Sequence, residues 1–179
     1  MLEQKNFKIW TIENKEEENF LRQKTEEFDF KKFKSNEITK LINHMKKMME
    51  KANGIGLSAN QIGLPYKIFV AKMPNIPKNN LANKFYAIFN PKIEKVEGKK
   101  IDLEEGCLSV PDMFGKTPRY PKITISGFNR YGKPIKIKAW GLLAHIFQHE
   151  IDHLNGKLFI DSAKELKNIK DIENNAQNE

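Results

Sequence analysis

The stretch "GLLAHIFQHEIDHLNG" (141–156) decides how this chain is read. Its Leu142, Leu143, Ile146 and Phe147 repeat with the period of a helix that buries one face, and Asn155-Gly156 is a stop signal. On that helix His149 and His153 stand four residues apart, about 6 Å along the axis, with Glu150 beside them. Two imidazoles on one face can share a metal ion. The neighbouring glutamate can then reach a water on that ion without being a ligand, which is the physical content of the HExxH pattern. His145 shares the face one turn earlier. It lies about 12 Å from His153, too far for one ion to take all three imidazoles when metal–nitrogen bonds are about 2 Å. The pair 149/153 has the glutamate between its members, so His145 is left to a pocket wall or the surface.

A catalytic site needs a third protein ligand, and several routes to one close. "HEIDHLNGKLF" begins like the metzincin protease pattern, but Phe159 stands where that pattern needs its last histidine. Glu165 and Glu173 sit in a short polar tail, and His44 lies off the apolar stripe of its own helix and is expected to be solvated. Cys107, in "EEGCLSVP" (104–111), remains. A lone cysteine is more often a small buried hydrophobe than a ligand. Residue chemistry alone therefore leaves Cys107 open.

The 179 residues, 39% hydrophobic, suit one domain over 1–179 that buries roughly two-thirds of its unfolded surface. No run approaches the about 18 apolar residues of a membrane span, and "ENKEEENF" (13–20) is too acidic for a transit peptide. A cytoplasmic monomer is expected. With one cysteine there is no intramolecular disulfide. The formal charge of +8 comes mostly from scattered lysines. That argues against specific nucleic-acid binding and leaves a weak attraction to anionic surroundings such as the ribosome.

Residues 1–34 read as an irregular arm packing through Ile9, Trp10, Phe20, Leu21, Phe28 and Phe30. "SNEITKLINHMKKMMEKANG" (35–54) predicts a helix with Ile38, Leu41, Ile42, Met45, Met48 and Met49 on one stripe. Ser35 or Asn36 can cap it, and Asn53-Gly54 stops it. Strands are expected at 67–73, at 85–98 with a break at Pro91, and at 122–128 and 134–140 as a hairpin through "NRYG". "KLFID" suggests a strand, "SAKELKNI" a short helix, and 169–179 a frayed polar tail. The class is α+β: mostly antiparallel sheets packed around a central metal-binding helix, with an N-terminal helix.

Three segments, "GIGLSANQIG" (54–63), "EGCLSVP" (105–111) and "QHEIDHLNG" (148–156), closely resemble the three sequence signatures of peptide deformylases. Order and spacing match through most of 36–167; the first 35 residues resemble the family only loosely, around "FLRQKT" (20–25). The resemblance implies one divalent metal held by Cys107, His149 and His153. Iron(II) is the favoured ion, with zinc, nickel or cobalt as substitutes. It implies removal of the formyl group from the N-terminal formylmethionine of nascent peptides, with metal-bound water as nucleophile and Glu150 as general acid/base. It places Gln61 and the Leu108 N–H at the formyl oxygen, and Gly54, Ile55 and Gly56 alongside the peptide. His145 and Ile146 border the methionine pocket.

The residue types suit those roles. Three ligands leave a position for water, whose pKa falls toward about 7 on a metal. Glu150 can take its proton and pass it to the departing amine. An amide and a backbone N–H can meet the developing oxyanion. Arg119 and Asp152 can pair as support for the ligands. Phe114 stands where some bacterial members have an arginine, and a related amidase or peptidase is the neighbouring reading. The contrasting class is a ribosome- or RNA-binding protein with a structural metal. It would need a fourth protein ligand, and no second cysteine exists.

Overall fold

A computed structural model describes residues 7–75 and 82–169. Among them three α-helices, α1 (Lys15–Leu21), α2 (Ser35–Lys51) and α3 (Leu142–Leu154), accompany eight strands. These are β1 (Gly56–Ser58), β2 (Ile68–Lys72), β3 (Phe85–Glu97), β4 (Ile101–Cys107), β5 (Val110–Arg119), β6 (Lys122–Phe128), β7 (Pro134–Trp140) and β8 (Lys164–Asn168). They form a five-stranded sheet ordered β1-β2-β3-β6-β7 and a three-stranded sheet ordered β4-β5-β8, with every pairing antiparallel. The α+β class holds, with α3 at the centre.

Strand β2 shows how the layers are built. Successive side chains of a strand point to opposite faces. Ile68 and Val70 join α2 in one core cluster, while Phe69 and Ala71 join α3 in another. The two helices therefore cover opposite faces of the sheet. The α2 stripe is the expected one: Ile38, Leu41, Ile42, Met45 and Met49 are buried, and Met48 packs against the cluster partly buried. On the other face, Phe147 of α3 packs against Phe69 with ring centroids 5.3 Å apart. Truncating a residue such as Phe147 to alanine costs about 3–5 kcal/mol.

Several local expectations need correction. The arm is not irregular throughout: Asn14 caps α1 by accepting from the Glu16 and Glu17 N–H groups, and Phe30–Lys32 form a 3-10 turn. Its apolar residues do pack inward, with Leu21 fully buried and Phe28 nearly so. Neither Ser35 nor Asn36 is the N-cap of α2; Lys34 is, and its backbone N–H donates to the Glu37 carboxylate at 2.8 Å. The break expected at Pro91 is present inside β3. Asn90 turns to φ 48° and the register with β6 shifts between Phe89 and Lys92, so the missing N–H falls in a bulge. "KLFID" forms a 3-10 turn at Phe159–Asp161, and "SAKELKNI" contributes β8 rather than a helix. His44 is half-buried against the Phe7 ring, with its Nε2 enclosed. The expected fraying concerns a tail whose residues 170–179 lie outside the described part.

Candidate metal centre

Helix α3 carries His149, Glu150 and His153, with Glu150 and His153 buried. Residues Leu108 and Ser109 make the tight turn between β4 and β5, so that Cys107 pairs with Val110 and its thiol turns toward α3. The Cys107 Sγ lies 3.1 Å from His153 Nε2, which lies 3.2 Å from His149 Nε2. One ligand atom from each of the three residues falls within 4.8 Å of the others. A tetrahedron with bonds of 2.0–2.3 Å has edges of about 3.3–3.6 Å, so three soft-to-borderline donors already stand close to the spacing one ion requires. The donor set fits a divalent metal.

Around it the charges are organised. Burial pushes the Cys107 thiol up, but the His153 and His149 imidazoles outweigh it and bring the thiol down to about 5. The Ser109 N–H and the Gln61 amide also face the sulfur, at 3.4 and 3.6 Å. Burial likewise opposes charge on His149, yet its contacts with Cys107 and Glu105 hold it well above the ordinary histidine value. Burial raises Glu150, with the two imidazoles pulling the other way. Its Oε2 accepts from the Ser58 hydroxyl at 2.7 Å, and a Cβ at Gly56 would run into its carboxylate. Gly56 thus leaves room for the Glu150 carboxylate, and Ser58 orients it.

Beneath these three side chains lies a carboxylate that sequence reasoning passed over. Glu105 accepts from Arg119 Nε at 2.6 Å and Nη2 at 3.0 Å, and contacts His149 Nδ1 at 3.0 Å and His145 Nε2 at 2.6 Å. Burial pushes Glu105 up, but the His145, His149 and Arg119 hydrogen bonds win and hold it far below the usual carboxylate range. Arg119 also pairs with Asp152, as the sequence suggested. The only signal for Glu105 was its place two residues before Cys107. Ser58 and Ser109 were equally silent.

A cavity of about 490 Å³ opens beside this cluster. Cys107, His149, Glu150, Gln61, Leu108, His145 and Ile146 line it, together with Gly54, Ile55 and Gly56, so the structure brings every sequence-selected residue except the deeper His153 to one cavity wall. Phe114 lines it too. Gln61 is locked by its surroundings: its Oε1 accepts from Ser58 N at 2.8 Å and its Nε2 donates to Ser109 Oγ at 3.0 Å. The arm braces both segments, because Trp10 N donates to Gln61 O at 2.8 Å and Ile12 N to Ser109 O at 3.0 Å.

The polypeptide deformylase family model matches residues 8–169. The chain belongs to the peptide deformylase family. Members of this family are metal-dependent hydrolases, and this deformylase removes the formyl group from the N-terminal formylmethionine of newly made proteins. It is 47% identical over 129 residues to a peptide deformylase of Halothermothrix orenii, covering 70% of this chain and 79% of the relative. A crystal structure from Legionella pneumophila matches with TM-score 0.75 at 35% identity, covering 89% of this chain and 86% of the other. One from Synechococcus elongatus, in complex with actinonin, matches with TM-score 0.77 at 29% identity, covering 90% and 81%. Among the described residues no helix of this deformylase is long and apolar enough to cross a membrane.

Proposed function

We propose that the deformylase reaction runs at the Cys107–His149–His153 cluster, with Glu150 as the acid/base, on formylmethionyl peptides laid along the cavity. The observation that carries this reading is the convergence of Sγ and two Nε2 atoms beside a buried glutamate at the wall of a cavity. A divalent ion held there would supply an acidified water as nucleophile. Glu150, raised by burial and oriented by Ser58, takes the proton and delivers it to the amine that leaves. Gln61 and the Leu108 N–H stabilise the charge that gathers on the formyl oxygen.

The peptide has a natural docking edge. Among the described residues β1 pairs only with β2; it borders the cavity, and Ile55 is 40% exposed. An extended substrate can add to that edge by backbone hydrogen bonding, with its methionine side chain toward His145 and Ile146. Iron(II) is the proposed ion because the family resemblance implies it; a thiolate with two imidazoles equally accepts zinc, nickel or cobalt. The proposal includes a single domain over 1–179, a cytoplasmic monomer, and no more than weak, charge-driven association with ribosomes.

The test is formate release from formyl-Met-Ala-Ser by protein loaded anaerobically with iron(II). Wild type releases formate. Glu150→Ala keeps its metal and loses turnover by about 10²-fold or more, and Cys107→Ala loses the metal. Equal formate release by wild type and Glu150→Ala would sink the assignment of the base; metal content unchanged in Cys107→Ala would remove Cys107 from the site. Hydrolysis of acetylated but not formylated peptides would favour a related amidase.

A further inference from the structure

We infer that His145, besides bordering the cavity, is a positioning residue for the metal cluster, acting through Glu105 on both His149 and the strand that carries Cys107. The inference rests on the metal site proposed above.

A carboxylate has about four lone-pair directions, and here all four are engaged. Oε1 of Glu105 takes Arg119 Nε and His145 Nε2, both at 2.6 Å; Oε2 takes Arg119 Nη2 and His149 Nδ1, both at 3.0 Å. Glu105 is 5% exposed and Arg119 6%, so solvent has little opportunity to replace a lost donor. Because the carboxylate only accepts, the proton of His149 sits on Nδ1. Nε2 is then the nitrogen that faces Cys107 and His153, and it gives up its proton when a metal takes its lone pair.

His145 fixes the other oxygen. Without it, Oε1 keeps a single donor, and the carboxylate can shift as one with its Arg119 fork, drawing Oε2 away from His149. There is also a consequence for the third ligand. Glu105 and Cys107 lie two apart on β4, and both reach α3, Glu105 at His145 and His149 and Cys107 at His153. His145 and His149 lie one turn apart on α3. The Glu105 contacts therefore join β4 to α3 at two successive turns, and this joint sets how far Cys107 stands from His149 and His153. A side chain serving only as cavity wall, like the neighbouring Leu142 and Ile146, needs no such bond.

The experiment compares wild type, His145→Leu and His145→Gln. Leucine fills the wall without a donor, while glutamine offers an amide N–H near the position of His145 Nε2. Cobalt(II) and zinc dissociation constants are measured by competition with a chromophoric chelator, alongside the visible spectrum of the cobalt(II) protein and the melting temperature of metal-free protein. Removing a partner that orients a ligand weakens metal affinity by about 10–100-fold. His145→Leu is expected to lose about 10-fold with altered cobalt bands, and His145→Gln to recover to within about 3-fold of wild type with the bands restored. Unchanged constants and spectra in His145→Leu, with only KM or the preference for formylmethionyl over formylnorleucyl peptides altered, would overturn the inference and leave His145 as wall alone. Equal weakening in both variants, tracking a shared fall in melting temperature, would assign the effect to packing and overturn it as well. If wild type released no formate, the deformylation site would be refuted, while the metal constants would still judge His145.

Discussion

Gly56→Ala is the most demanding check on how the proposed base is held. An alanine Cβ at this position would overlap Glu150 Oε1 and stand 2.8 Å from its Cδ and 3.1 Å from its Cγ. Carbon atoms pack at about 3.5–4.0 Å, so either the carboxylate or β1 must retreat by about 1 Å. Neither retreat is easy. β1 is held by its ladder to β2, and Glu150 is buried and tied to Ser58. A misplacement of about 1 Å in a catalytic group costs about 10²-fold in rate, equivalent to about 2.7 kcal/mol of barrier. The expected outcome is a kcat for formyl-Met-Ala-Ser lowered about 100-fold, with metal content unchanged because Glu150 is not among the proposed ligands. Initial rates over a range of substrate concentrations, with metal analysis of the same sample, provide the readout. A kcat within about 2-fold of wild type, or a loss confined to KM, would refute the argument that Gly56 makes room for the base.

Other perturbations test the surrounding supports. Ser58→Ala removes the hydroxyl that orients Glu150, and kcat is expected to fall about tenfold at constant metal content, since a hydrogen bond to a charged group contributes about 1.5–3 kcal/mol. Arg119→Met leaves Glu105 without its main cation and Asp152 without its pair; breaking such a buried pair costs about 3–5 kcal/mol, readable as a loss of folding free energy in urea titration. Gly63→Ala forces a side chain into φ 75° and into the Trp10 ring, so melting should occur several degrees lower. A melting temperature equal to wild type would show that the arm does not press on this turn.

The sequence by itself determined the features that repeat at short range. The 3.6-residue period of "GLLAHIFQHEIDHLNG" specified α3 and put His149, Glu150 and His153 together, because four residues along a helix return to one face. The same logic gave α2 and its buried stripe, and alternation gave the β6–β7 hairpin. Resemblance to a family supplied Cys107, which spacing alone left open. What failed locally was where tertiary pairing outweighed propensity. "KELKN" is rich in helix formers, yet it forms β8 because the edge of β5 offers backbone partners. The break expected at Pro91 is there, and it takes the form of a bulge because β6 continues to pair beyond it.

Only the tertiary structure decided that the thiol of Cys107, 42 residues from His149, closes on the two imidazoles, and that Glu105 sits beneath them gripped by Arg119, His149 and His145. A carboxylate two residues before a cysteine carries no periodic signal. Its partners come from β5 and α3, and they meet only once both sheets have packed against the central helix. His145 shows the same division: its place on the α3 face was legible from a four-residue step, whereas the group it bonds was fixed by a strand far away in the chain.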